Sequence, residues 1–295
     1  MHLAEPHDQA SGLRRMFTAG AAFRSVGVMG PDARATARAT LLLARGLARQ
    51  GDRVLVLDEA SPPHNVGGQL GMVPPRDLSD LPRMGLDAAV RPVGEELALL
   101  SARDGIAVLA TLDERDLRAL TEYMAPLAPE WMLFNAARTG GGLAATADLR
   151  ILVLPGSRAH LAEAYAVLKT AHAAREQGVW LVLVEGVEAD GARRLHAALA
   201  QTAEHFLGFE PLYLGCLDGA RRGAAEDAGQ DLAETLAGMP LQDTSDFAQA
   251  WQRMWLFSRM HTARAYGTPD PASAFVLSGN KDNKVKREQR RHPHP

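Results

Sequence analysis

Residues 25–60 read SVGVMGPDARATARATLLLARGLARQGDRVLVLDEA, and this stretch decides the fold. Ser25–Met29 is a short β-rich run. After the Gly30-Pro31-Asp32 turn, residues 33–50 carry apolar side chains at helical spacing, with Leu41, Leu42, Ala44, Leu47 and Ala48 forming one stripe. Gly51-Asp52 ends that helix and turns the chain into a second strand at residues 54–57. A strand, a helix and a second apolar strand make a β-α-β unit, which builds a parallel sheet covered by helices.

The same alternation continues outward. Further strands are predicted at residues 106–110, 132–134, 151–154, 179–184 and 212–216, with helices over about 114–125, 159–176 and 189–206. The expected class is a doubly wound, mostly parallel α/β sheet flanked by helices. Residues 1–24 read as an N-terminal arm and 25–242 as the α/β domain. Residues 243–265 read as an amphipathic helix, and 266–295 as a disordered basic tail whose polar sequence offers no face to pack. The chain has 295 residues and a formal net charge of -3, so nothing global favours a nucleic-acid partner. One cysteine, Cys216, excludes an internal disulfide and reads as a buried small hydrophobe. No signal peptide or apolar run of membrane-spanning length is apparent, so a cytoplasmic protein is expected. Ten histidines are scattered, and no metal site is expected.

In a doubly wound sheet, the turn after the first strand is the place for phosphate. Here it reads Gly30-Pro31-Asp32-Ala33-Arg34-Ala35-Thr36-Ala37. A working loop needs glycines that aim backbone N–H groups at the phosphates, a lysine on the β/γ-phosphates and a Ser/Thr on magnesium. The flanks VGVMG and ATLLLARGLARQGDRVLVLDEA resemble the MinD/ParA ATPases, whose pattern is a strand, GKGGVGKT, a helix ending in ALARxG and a strand closing on LDAD. Aligned on Gly51 and Asp58, the resemblance places the signature lysine at Pro31, the loop lysine at Thr36 and the magnesium threonine at Ala37. Pro31 has no N–H to give, and Asp32 adds negative charge. One ammonium at contact distance is worth roughly 4 kcal/mol at an effective dielectric of about 20. The water-positioning Asp falls at Ala60, the switch-region Asp at Asn135, and the adenine-contacting Asn at Glu185. ATP and magnesium binding, and with them hydrolysis, are expected to be lost.

The resemblance is to the FlhG/FleN branch of that superfamily, the flagellar number regulators, and runs over roughly residues 8–258. Glu163-Ala164-Tyr165-Ala166-Val167-Leu168-Lys169 is similar to a stretch of that branch. Asp8-Gln9-Ala10-Ser11-Gly12-Leu13-Arg14 resembles its DQAxxLR activator motif. The resemblance implies a helix that docks onto the FlhF-type GTPase, with Gln9 helping to order the attacking water. Asp8 is a good N-cap, and Leu13, Met16 and Phe17 share one face beside Arg14. It also implies flagellar transcription regulators or switch-complex proteins as further partners. The family's C-terminal amphipathic helix targets the membrane, and Phe247, Trp251, Met254 and Trp255 make such a stripe here. A weak peripheral site at the inner membrane or cell pole would follow. Such stripes more often pack on their own domain, and with no ATP switch packing is the expectation. Two competing readings stay open: a MinD/ParA-type ATPase in which Arg34 or Arg38 replaces the lysine, and a membrane-associated scaffold.

Overall fold

A computed structural model describes residues 23–72, 76–81, 85, 89–136, 142–173, 179–217, 222–240 and 246–266. Eight strands form one sheet in the order β3-β4-β2-β5-β1-β6-β7-β8. They are β1 (Arg24–Met29), β2 (Val54–Asp58), β3 (Arg91–Pro92), β4 (Leu97–Ser101), β5 (Trp131–Asn135), β6 (Leu149–Pro155), β7 (Val179–Glu185) and β8 (Leu212–Leu217). Every pairing is parallel except that of the two-residue edge strand β3 with β4. The helices are α1 (Ala33–Arg49), α2 (Val66–Gln69), α3 (Gly105–Thr111), α4 (Glu114–Met124), α5 (Leu161–Ala173), α6 (Ala189–Leu207), α7 (Arg222–Ala237) and α8 (Phe247–Tyr266).

Strand periodicity divides the core between two faces. Val26, Val28, Val54, Val56 and Leu133 point to the face covered by α1 and α7. Met29, Leu55, Leu57, Met132 and Phe134 point to the other, covered by α3 to α6 and by α8. Both faces are buried, which is why the strands read as continuous apolar runs. Helices α1 and α7 pack closely because Gly46 carries no side chain: a Cβ there would lie 2.5 Å from the Gly229 carbonyl oxygen.

Two expectations need correction. Residues 106–110 are not a strand but the body of α3, with Gly105, Val108, Leu109 and Ala110 buried on one side. A five-residue apolar run has no periodicity that separates strand from buried helix. Asp104 gives the first helical carbonyl, accepting from the Val108 N–H at 2.9 Å. The strand position beside β2 belongs instead to Leu97–Ser101, paired in register from Val54↔Leu97 to Asp58↔Ser101. Cys216 is only partly buried, because β8 is a sheet edge.

Helix α8 belongs to the main core. Asp246 caps it by accepting from the Gln249 N–H at 2.7 Å. Its stripe packs against α3, α4 and the short 3₁₀ turn at Leu143–Thr146. Ala250, Trp251, Met254 and Trp255 are buried, Phe247 is partly buried, and its ring meets Phe23 edge-on at 5.6 Å. The Trp255 indole N–H donates to the Leu112 carbonyl at 2.9 Å. Arg253 pairs with Asp148 at 2.9 Å, and Asp148 also accepts from the Ser25 hydroxyl at 2.6 Å. The Trp stripe thus faces protein, while Leu256 and Met260 face outward. Among the described residues no helix is long and apolar enough to cross a membrane.

Candidate functional site

The C-terminal ends of β1, β2, β5, β6 and β7 gather the residues singled out from the sequence. The phosphate-loop position is the tight passage from β1 into α1. Gly30 is held by close approach: a Cβ there would stand 2.5 Å from the Val153 carbonyl oxygen and 3.0 Å from the Thr36 hydroxyl. Pro31 brings no donor. Asp32 is the N-cap of α1, its carboxylate accepting from the Ala35 N–H at 2.8 Å. The Thr36 N–H donates to the Asp32 carbonyl at 2.9 Å, and the Thr36 hydroxyl does so at 2.7 Å. Two amides and a hydroxyl near the start of α1 are therefore spent inside the helix. Ala37 is fully buried and carries no hydroxyl.

Behind the loop lies a closed hydrogen-bond chain. Asp58 and Asn135 are register partners on β2 and β5. The Asn135 amide donates to Asp58 Oδ1 at 2.8 Å, and the Gly67 N–H donates to Asp58 Oδ2 at 3.1 Å. Thr40 donates to the Thr36 carbonyl at 2.9 Å and lies 3.4 Å from Asn135 Oδ1. Burial raises the Asp58 pKa, and the donors from Asn135 and Gly67 oppose that rise. Asn135 is a carboxamide and takes up no proton, and Ala60 is buried with no polar side chain, its backbone N–H serving Asp58.

Glu59 was not singled out from the sequence, although an acid in the apolar run VLVLDEA was a signal. Its buried carboxylate accepts from the Leu143 N–H at 2.7 Å and the Ala144 N–H at 3.0 Å. It ties the end of β2 to the 3₁₀ turn that follows β5. Burial pushes its pKa up to about 7, against the two amides that favour the charged form.

On the α1 side a cleft of 590 Å³ opens between α1, the ends of β6 and β7, and α7. Arg34, Arg38, Leu42, Pro155, Glu185 and Ala225 are among the residues that line it. Arg38 donates to Glu185 Oε1 at 2.9 Å, so the residue at the adenine-contact position is an ion-pair partner of the first helix. Burial raises the Glu185 pKa while Arg38, and more weakly Arg34, oppose the rise. Among the described residues no group of three or more His, Cys, Asp or Glu could hold a metal ion. Asp8, Gln9, Leu13, Arg14, Met16 and Phe17 lie outside the described residues.

An eight-stranded, mostly parallel sheet flanked by helices is the fold of the MinD/ParA-type P-loop ATPases. Among solved structures, the chain is similar to cobyrinic acid a,c-diamide synthase from Mycobacterium smegmatis with bound ADP and magnesium. That match has a TM-score of 0.54 and 19% identity, covering 73% of this chain and 94% of that one. It is likewise similar to MinD in the MinC:MinD cell division complex from Aquifex aeolicus, with a TM-score of 0.53 and 18% identity over 76% of this chain and 100% of that one. At these identities the likeness is one of fold. No protein-family model matches the chain. No curated protein matches it either.

Proposed function

We propose that the protein is a non-hydrolysing, FlhG-like regulator of flagellar number or placement. In this reading it stimulates an FlhF-type GTPase through its N-terminal helix. The observation that carries the first half is the start of α1, where Pro31 brings no donor and Asp32 occupies the cap with a carboxylate. A phosphate there would meet a negative charge, and that charge already holds the Ala35 amide of the helix start. Asn135 adds to this: a carboxamide at the switch position carries no charge to offer magnesium, and its amide is already donated to Asp58. The second half rests on the motif Asp8-Gln9-Ala10 through Leu13-Arg14.

The test is GTP turnover by the FlhF-type GTPase in the presence of this chain. The parent protein is expected to accelerate hydrolysis, and Gln9→Ala to abolish most of that acceleration while leaving the circular dichroism spectrum unchanged. Equal acceleration by parent and variant rejects the activator role.

The MinD/ParA-type ATPase with a diverged loop is the second reading, favoured by the fold and by the arginines beside the cleft. Calorimetry with ATP and magnesium separates the two. The first reading expects no saturable heat at micromolar concentrations. Micromolar binding lost on Arg34→Ala or Arg38→Ala establishes the second.

A further inference from the structure

The cleft beside α1 contains a group that the regulatory reading does not use. Glu185 is 8% exposed and lines the cleft; Oε1 is bound by Arg38, but Oε2 has no hydrogen-bond partner in the structure. A buried acceptor without a donor is costly, and its presence at the wall of a cavity asks what donor would fill it. Oε2 itself is closed off from solvent, and the terminal carboxylate torsion is broad, so a ligand donor reaches it when the carboxylate turns toward the cleft.

Glu185 and Arg38 together offer an adjacent pair of opposite functions. The carboxylate accepts, and the guanidinium has further N–H groups beyond the one that Glu185 holds. The cleft lining also includes the apolar residues Leu41, Leu42, Pro155 and Ala225, beside the charged Asp32, Arg34, Arg45 and Glu226. Apolar side chains with a few polar groups suit a heterocyclic base, and the polar edge selects which one. Guanine carries two neighbouring donors, N1–H and the N2 amino group, with the O6 acceptor next to them. The donors meet the carboxylate and O6 meets the arginine, as arginine meets guanine O6 elsewhere. Adenine would set its N1 lone pair against the carboxylate and its amino group against the guanidinium. Cytosine has a single amino donor for two carboxylate oxygens.

We propose that this cleft is a guanine site, in which Glu185 accepts from the N1 and N2 donors of a guanine nucleoside or nucleotide and Arg38 donates to O6. The site recognises the base and draws little from phosphate, because the start of α1 carries the Asp32 carboxylate. It is independent of the flagellar reading and shares with it only the loss of the triphosphate grip.

Calorimetric titration of the full chain with guanosine, GMP, GTP, adenosine and cytidine tests it. Guanosine and GMP are expected to saturate the chain at submillimolar concentration, with adenosine and cytidine at least tenfold weaker. Glu185→Gln keeps the shape of the side chain but replaces one acceptor by a donor. It is expected to weaken guanosine at least tenfold and leave adenosine no weaker, since glutamine reads adenine. A merely structural Glu185 would weaken both ligands together, and that parallel loss overturns the assignment. So does adenosine binding equal to guanosine, or no saturable guanosine binding up to millimolar concentration. GTP binding tenfold tighter than GMP with magnesium overturns the site as drawn, since a triphosphate grip would then be present.

Discussion

Trp251→Ala is expected to lower the unfolding free energy by about 3–5 kcal/mol, the usual cost of deleting a fully buried aromatic side chain. In a domain of this size the melting temperature should fall by on the order of 10 °C. Trp251 is completely buried among the residues that α8 packs against, and Phe247 meets it edge-on at 6.1 Å. Its indole N–H, however, has no hydrogen-bond partner. Trp251→Phe removes that unpaired donor along with some volume, so the two effects oppose each other. The Phe variant should lose no more than about 1.5 kcal/mol. Urea unfolding of the three proteins checks the order. A membrane-associated scaffold, with α8 released from the domain, predicts the reverse: unchanged unfolding free energy in both variants and lost sedimentation with anionic liposomes. Liposome binding by the parent that the Ala variant loses at unchanged stability would reject the docked helix.

The reason α8 could be read only in part from the sequence is general to this molecule. Its helical period and its stripe were legible, because Phe247, Trp251, Met254 and Trp255 repeat at the spacing of one helix face. What that stripe touches was not. The Trp255 to Leu112 hydrogen bond spans 143 residues and the Arg253 to Asp148 bond spans 105. The central strands were legible for a different reason: a parallel sheet covered on both faces writes itself as apolar runs bounded by turns. The same signal misled at residues 106–110, where burial on one side of a short helix gives an equally apolar run. It missed Leu97–Ser101 because Glu95-Glu96 and the Ala98 position dilute an edge-side strand, and helix α7 because its alanine-rich, acidic sequence carries a weak stripe.

The site divides along the same line. The composition of the turn after β1 could be read directly, since the lack of a lysine and of any glycine after Gly30 is a fact of sequence. The partners of the side chains at these positions could not. Asp58 and Asn135 meet because β2 and β5 are neighbours in register, although 77 residues separate them. Arg38 and Glu185 are 147 residues apart and meet only because β7 ends beside the first turns of α1. Glu59 makes the same point, since its two amide donors come from a turn beyond β5.

That carboxylate gives the strongest dependence of stability on pH. The folded pKa of Glu59 stands at about 7, above the ordinary value of 4.5 that the unfolded chain restores. Below about pH 4.5 both states hold the proton, and Glu59 contributes no slope. Between about 4.5 and 7 the folded state keeps a proton that the unfolded state has released, so stability falls as pH rises through that window. Above about pH 7 both are ionised, and the accumulated loss is on the order of 3 kcal/mol, an order-of-magnitude figure at about 1.36 kcal/mol per pKa unit. Asp58, also raised by burial, adds a slope of the same sign. Glu59→Gln removes only the Glu59 part. The glutamine NH2 cannot accept from the second of the Leu143 and Ala144 N–H groups, whereas both carboxyl oxygens can even when one is protonated, so the variant should be less stable than the parent at pH 5. Because its curve is flatter, the difference should shrink or reverse by pH 8. Urea unfolding of both proteins from pH 5 to 8 measures this. If the two curves run parallel, Glu59 is ionised throughout in the folded state, and the amides of Leu143 and Ala144 outweigh its burial.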